Sequence, residues 1–172
     1  AVFGTMVADA IHIEMGIPYT VSALNCAVAL AAVFGCWYLI EKTLSIHSIY
    51  TRRRELFYWA TVLATFAMGT ALGDMTAYTL HLGWLVSGFL YTALFGIPLA
   101  ARRVFGLHEI FAFWFAYVVT RPLGASYADW LAVPPYLGGL DLGRGTVAIA
   151  LTAVIGIWVA YLGATKIDVE RT

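Results

Sequence analysis

The sequence predicts an all-α fold, a polytopic transmembrane helical bundle of about six helices, the first one partial, made of parallel helix-hairpin repeats. Three observations carry this expectation. Hydrophobic residues make up 62% of the 172-residue chain and charged ones 12%, about half the charge of a typical soluble domain, and mean hydropathy is +0.82. The apolar residues fall in successive runs of a length that crosses a bilayer, about 20 residues each. One hexapeptide returns in alternate runs.

The runs are bounded by charges or by Gly/Pro clusters. The first covers residues 1–15 and is short. The second spans Tyr19 to Ile40 and stops at Glu41-Lys42; the polar stretch from Thr43 to Glu55 follows, with Arg52-Arg53-Arg54 near its end. The third spans Leu56 to Leu82, and Gly83 punctuates it. The fourth runs from Trp84 to Ala101 and stops at Arg102-Arg103, and the fifth from His108 to Leu131. A loop with Pro134-Pro135, Gly138-Gly139 and Asp141 to Gly145 leads to the sixth, Thr146 to Thr165, and a short charged tail. Ala1-Val2-Phe3-Gly4-Thr5 has no Met and no charged segment, so no signal peptide is read there; the chain is expected to begin inside a membrane helix of a longer precursor. Cys26 and Cys36 lie ten residues apart on one predicted helix, about 15 Å, too far to pair, and both are expected to be small buried residues.

Lys42, Arg52, Arg53, Arg54, Arg102, Arg103, Lys166 and Arg171 fall on one side of the alternating spans, and Arg144 alone on the other. The positive-inside rule then puts the loops over 43–55 and 102–108 and the C-terminus in the cytoplasm, which implies a multi-pass protein of the cell inner (plasma) membrane. The formal net charge is zero, so no nucleic-acid partner is expected. The expected surroundings are the lipid bilayer, with a homo-oligomer or a larger membrane complex as assembly.

The recurring hexapeptide reads Gly4-Thr5-Met6-Val7-Ala8-Asp9, then Gly69-Thr70-Ala71-Leu72-Gly73-Asp74, then Gly124-Ala125-Ser126-Tyr127-Ala128-Asp129. Trp59 lies ten residues before Gly69 and Trp114 ten before Gly124, each in an aromatic cluster. Repeats of about 1–42, 55–103 and 108–165 within one transmembrane domain follow. The small pairs Gly4/Ala8, Gly69/Gly73 and Gly124/Ala128 suit close helix packing. Packing does not account for the aspartate after each pair, because a carboxylate in a span costs about 3 kcal/mol and usually marks an ion or substrate site. Asp74 is 19 residues beyond Glu55 and Asp129 is 20 beyond Glu109, about 30 Å of helix. Asp9, Asp74 and Asp129 are therefore expected at one depth near the outer face, where they would repel one another unless a cation or proton is shared.

On a regular helix Thr70, Asp74, Tyr78 and His81 share a face, as do Thr5, Asp9 and His12. Hydroxyl, carboxylate and imidazole together can hold a metal or relay protons, which makes His12 and His81 candidate metal ligands; at one depth they are also a candidate haem pair. Arg121, about 12 residues into its span and followed by Pro122, needs a carboxylate, an anion or freed carbonyls as partner, and Pro122 is expected to bend the helix. No HExxH, GxGxxG or Ser/His/Asp arrangement is present, so no enzyme activity is expected, and no cofactor beyond a bound cation.

Ser45-Ile46-His47-Ser48-Ile49, Thr51-Arg52-Arg53-Arg54-Glu55, Phe57-Tyr58-Trp59, Gly69 to Asp74 and Thr120-Arg121-Pro122-Leu123-Gly124-Ala125-Ser126, read in order, resemble a family of bacterial uncharacterised membrane-anchored, repeat-associated integral membrane proteins. The resemblance covers essentially the whole chain. It implies a further N-terminal helix pair with another acidic motif, about eight helices in the parent, and it implies no substrate. The function expected from the residues is transport of a cation or small solute through an intramembrane aspartate cluster, with Asp9, Asp74, Asp129, Thr5, Thr70 and Arg121 as binding residues. The alternative is a non-transporting structural or accessory subunit of a larger membrane complex.

Overall fold

The computed structural model describes residues 16–165, together with Met6 and Ala10. Most of the first predicted span and the charged tail 166–172 therefore lie outside the described residues. Among those described, the chain forms five α-helices and no strand: α1 (Tyr19–Glu41), α2 (Arg52–Asp74), α3 (Gly83–Phe105), α4 (Glu109–Ala132) and α5 (Arg144–Thr165). Short 3₁₀ turns occupy Ile46–Ser48 and Pro135–Leu137, and a π-helical segment, Met75–Thr79, extends α2.

The boundaries follow from local chemistry. Thr51 caps α2, its hydroxyl accepting from the Arg54 N–H at 3.4 Å, with Glu55 in the first turn where the helix dipole favours an acid. Lys42 ends α1 in the left-handed conformation, its N–H donating to the Tyr38 carbonyl. The turn between the π segment and α3 needs two positive φ angles, at His81 (54°) and Gly83 (70°).

Among the described residues four stretches are long and apolar enough to cross a membrane: Tyr19–Glu41, Arg52–Thr79, Gly83–Phe105 and Arg144–Thr165. The chain is a multi-pass membrane protein. α4 occupies the place of the fifth predicted span but is not one of these four, because Arg121, Pro122, Tyr117 and Thr120 dilute its apolar character. Its surroundings explain how it tolerates them: between Glu109 and Tyr127 only Glu109, Phe111 and Gly124 are exposed. A helix covered by protein does not have to be apolar all round. The span on α5, by contrast, is only 6% buried.

The chain divides into two compact units, Ala1–Tyr127 and Ala128–Thr172. In the first, α1 packs chiefly on α2: Ala23, Cys26 and Leu30 meet Ala67, Met68 and Ala71. Cys26 is buried there, whereas Cys36, expected to be buried too, is exposed. Ten residues at about 100° each carry Cys36 roughly 80° around the helix and off the packed face. At one end of this unit Glu41 ties α1 to α2 through Arg53 (2.5 Å) and Arg54 (2.6 Å). In the second unit the loop after α4 folds back to satisfy helix-end carbonyls, with the N–H groups of Leu140, Asp141 and Leu142 donating to Trp130, Val133 and Leu131. Gly139 permits this, because a Cβ there would collide with the Val133 backbone.

Candidate functional site

The second copy of the hexapeptide is built at the crossing of α2 and α4. A Cβ on Gly69 would overlap the Arg121 Cβ and lie 3.1 Å from the Arg121 carbonyl carbon, and one on Gly73 would lie 3.6 Å from the Ala125 Cβ. Gly69 meets Arg121 and Gly73 meets Ala125, so the contacts advance in the same sense along both helices. The small pair thus receives Arg121, three residues before the third motif copy, and Ala125 within it, as small-xxx-small packing allows. The third copy does not repeat the arrangement: among the described residues a Cβ on Gly124 would meet no neighbour within 4 Å. Its Tyr127 instead presses on α3, where a Cβ at Gly88 would lie 2.9 Å from the ring and the Tyr127 hydroxyl meets Thr92 Oγ1 at 3.0 Å.

Asp74 is the last residue of α2 and half-buried. The backbone beyond it widens into the π segment, a feature frequent at functional sites. The Thr76 hydroxyl holds this junction, donating to the Leu72 and Gly73 carbonyls at 3.1 and 2.9 Å, and the Tyr91 hydroxyl donates to the Leu72 carbonyl at 3.0 Å. Neither Thr76 nor Tyr91 is recognisable as a site residue from the sequence; the only signal is a buried hydroxyl on each side of a break that periodicity does not show. Thr70, a predicted binding residue, lies one turn before Asp74 and turns its hydroxyl onto the Phe66 carbonyl at 3.3 Å.

The π segment also alters the expected stripe. A regular helix would align Tyr78 and His81 with Asp74, but the wider turn breaks that register. His81 lies beyond the helix end, exposed, with φ 54°. The Tyr78 ring stacks on Tyr19 (5.7 Å) and meets Trp84 edge-on (5.2 Å). Among the described residues no three His, Cys, Asp or Glu side chains gather as metal ligands. Thr5, Asp9 and His12 lie outside the described residues. Asp129, half-buried near the end of α4, belongs to the second unit.

Arg121 is held by aromatic rings. Its guanidinium carbon sits 3.9 Å from the Phe66 centroid and 4.4 Å from that of Tyr117, each one turn nearer the start of its helix, the direction in which helical side chains lean. It makes no ion pair with a described carboxylate, so of the partners expected for it a carboxylate is not found among the described residues. Among the described residues its Nε is buried without a hydrogen-bond partner, as is Ser126 Oγ on the same helix. Contact with desolvated rings is worth about 2 kcal/mol against an insertion cost of about 3 kcal/mol, which already includes the desolvation of the Nε. The rings make the arginine tolerable without making it favourable. α4 continues through Pro122, which is fully buried; the ring leaves the Val118 carbonyl without its helical donor, and the helix is not interrupted.

The repeated tryptophans also part company. Trp114 is 5% exposed and donates to the Leu44 carbonyl at 2.9 Å, whereas Trp59 is 54% exposed. Trp114 thereby joins the connection after α1 to the start of α4, next to a cleft that Lys42 and Leu44 share with His108 and Ile110.

No curated protein and no solved structure matches this chain. A protein-family profile described as Repeat of Unknown Function (DUF347) matches three times, over residues 1–43, 57–106 and 112–168, and each match holds one copy of the aspartate motif. The internal repeat is therefore a family property, and the chain belongs to this uncharacterised repeat family.

Proposed function

We propose that the protein is a transporter of a cation or small solute, with the repeated aspartates as its binding groups. The observation that carries this reading is the setting of Asp74: a carboxylate at the end of a tightly crossed helix, where the α-helix gives way to a π segment. Ionisable groups within spans mark substrate or ion paths, and membrane carriers place their sites where helices are broken, because displaced carbonyls can then line a cavity. Asp129 and Asp9 are the corresponding groups of the other repeats, Thr70 and Thr5 are neighbouring ligands, and Arg121 is the fixed intramembrane countercharge. His12 and His81 are the subsidiary metal ligands of this reading.

The reading takes the repeats as parallel helix hairpins in a six-helix bundle in the inner membrane. Its basic end, with Lys42, Arg52 to Arg54, Arg102 and Arg103, faces the cytoplasm together with the C-terminus, as the positive-inside rule requires. Uptake or metal tolerance in cells producing Asp74→Asn and Asp129→Asn variants tests it. Both substitutions keep the shape of the side chain and remove its charge, so transport is expected to fall at least tenfold at unchanged membrane abundance. Full transport of a demonstrated substrate by both variants would overturn the proposal.

The bare surface of α5 favours a second reading, a non-transporting subunit seated in a larger complex or homo-oligomer. Its span is 6% buried and exposes Ile155, Trp158 and Tyr161. The mass of the detergent-solubilised native assembly separates the two readings, because a lone chain is incompatible with the second.

A further inference from the structure

An apolar cleft of about 540 Å³ opens between α1 and α4 at the end of the first unit where Glu41 meets Arg53 and Arg54. Phe34 and Tyr38 form one wall, and Phe111, Phe115 and Val118 the other. Its size lies within the roughly 300–1,000 Å³ range of small-ligand sites. A second hollow of about 350 Å³ adjoins it across Leu44, His108 and Ile110, and is lined by Ser45, His47 and Glu109. Apolar space therefore continues into polar space, with His108 at the junction and Lys42 on the lining of the apolar cleft.

The charges at this end are unequally matched. The ion pairs of the described residues engage Glu41 with Arg53 and Arg54, and Glu109 with Arg102. Lys42, Arg52 and Arg103 have no carboxylate partner among the described residues. Lys42 is exposed, directly after the last turn of a membrane-spanning helix. The cleft thus combines an aromatic and aliphatic slot beside a span with an ammonium, at the end of that span, that has no carboxylate partner among the described residues. Basic pockets between spans at that depth bind anionic lipid headgroups, and each buried methylene of an acyl chain adds about 0.8 kcal/mol.

We infer that this cleft is a specific site for an anionic phospholipid, one acyl chain lying between Tyr38 and Phe111 and the phosphate resting on Lys42, with His108 as a hydrogen-bonding neighbour. The Trp114 indole, fixed by its bond to the Leu44 carbonyl, forms the rigid floor that keeps the slot open. The inference depends on the bilayer setting alone, and not on whether the aspartates carry a solute.

Native mass spectrometry of the detergent-purified full chain, titrated with phosphatidylglycerol or with phosphatidylcholine of the same acyl chains, tests it. Wild-type protein is expected to retain one phosphatidylglycerol in clear preference to phosphatidylcholine. Lys42→Gln should lower that preference about fivefold, the worth of one cation beside an anionic headgroup. Ile110→Trp, which fills the slot, should remove the bound lipid of either kind at an unchanged unfolding temperature. The Lys42 substitution is at an exposed position, so it stays informative if the slot-filling variant fails to fold. Equal retention of the two lipids by the wild type, or an unchanged preference in Lys42→Gln, would overturn the assignment. A lipid-free dimer would overturn it as well, by showing that a second copy covers the cleft.

Discussion

The second and third repeats carry the same landmarks at the same spacing, and the protein uses them in opposite ways. In the second repeat the tryptophan is exposed and the motif glycine is locked: Trp59 is 54% exposed, while Gly69 sits against the Arg121 backbone. In the third the tryptophan is locked and the glycine is open: Trp114 is 5% exposed, while a Cβ on Gly124 would meet no described neighbour. Both belong to the same side of the packing, because α4 is the covered helix and α2 lies across it. A repeated sequence thus supplies a surface twice, and the neighbour decides which part of each copy is buried.

The largest expected effect separates the tryptophans. Trp114→Ala opens a hole among Phe34, Trp37 and Tyr117, whose rings lie within 5.0–5.7 Å of it, and strips the Leu44 carbonyl of its donor. Large-to-small changes at buried aromatic sites cost about 3–5 kcal/mol. Trp59→Ala, at an exposed site, should stay within about 0.5 kcal/mol. Chemical unfolding of both variants in detergent checks the contrast, and equal losses would mean that the two repeats are packed alike.

The glycines should reverse the order. Gly69→Ala forces a methyl into the Arg121 backbone and is expected to cost roughly 1–3 kcal/mol. Gly124→Ala enters open space and should gain up to about 1 kcal/mol from the better helix propensity of alanine. If both substitutions stabilise the protein in the same unfolding assay, the close crossing of α2 and α4 does not exist.

What could be read from the sequence follows the range of each interaction. Helix positions were legible because bilayer-length apolar runs are a local property: the expected Tyr19–Ile40 span corresponds to α1 (Tyr19–Glu41). Tight packing at Gly69/Gly73 was legible from the spacing of small residues, but its partner was not, since nothing in the hexapeptide says that Arg121 and Ala125 would face it. The register of Tyr78 and His81 with Asp74 was misjudged because a π turn leaves no mark in hydrophobic periodicity. Its stabilising hydroxyls, on Thr76 and Tyr91, come from two different helices. The ring partners of Arg121 divide in the same way: Tyr117 is four residues away on α4, whereas Phe66 becomes a neighbour only once α2 has docked.

A small effect on stability is also expected at the residue that joins the two repeats. Arg121→Met keeps much of the side-chain length between Phe66 and Tyr117 while removing the charge and the unsatisfied Nε. Losing the contact with the rings gives up about 2 kcal/mol, and removing the charge from the span returns about 3 kcal/mol. The variant should therefore unfold within about 1 kcal/mol of the wild type, on the stable side. A loss of 3 kcal/mol or more in chemical unfolding would instead make the arginine a structural strut of the α2–α4 crossing. With stability preserved, a tenfold or larger fall in transport would leave charge as the reason this position holds arginine, because nothing in the packing of Gly69 against the Arg121 backbone requires a guanidinium there.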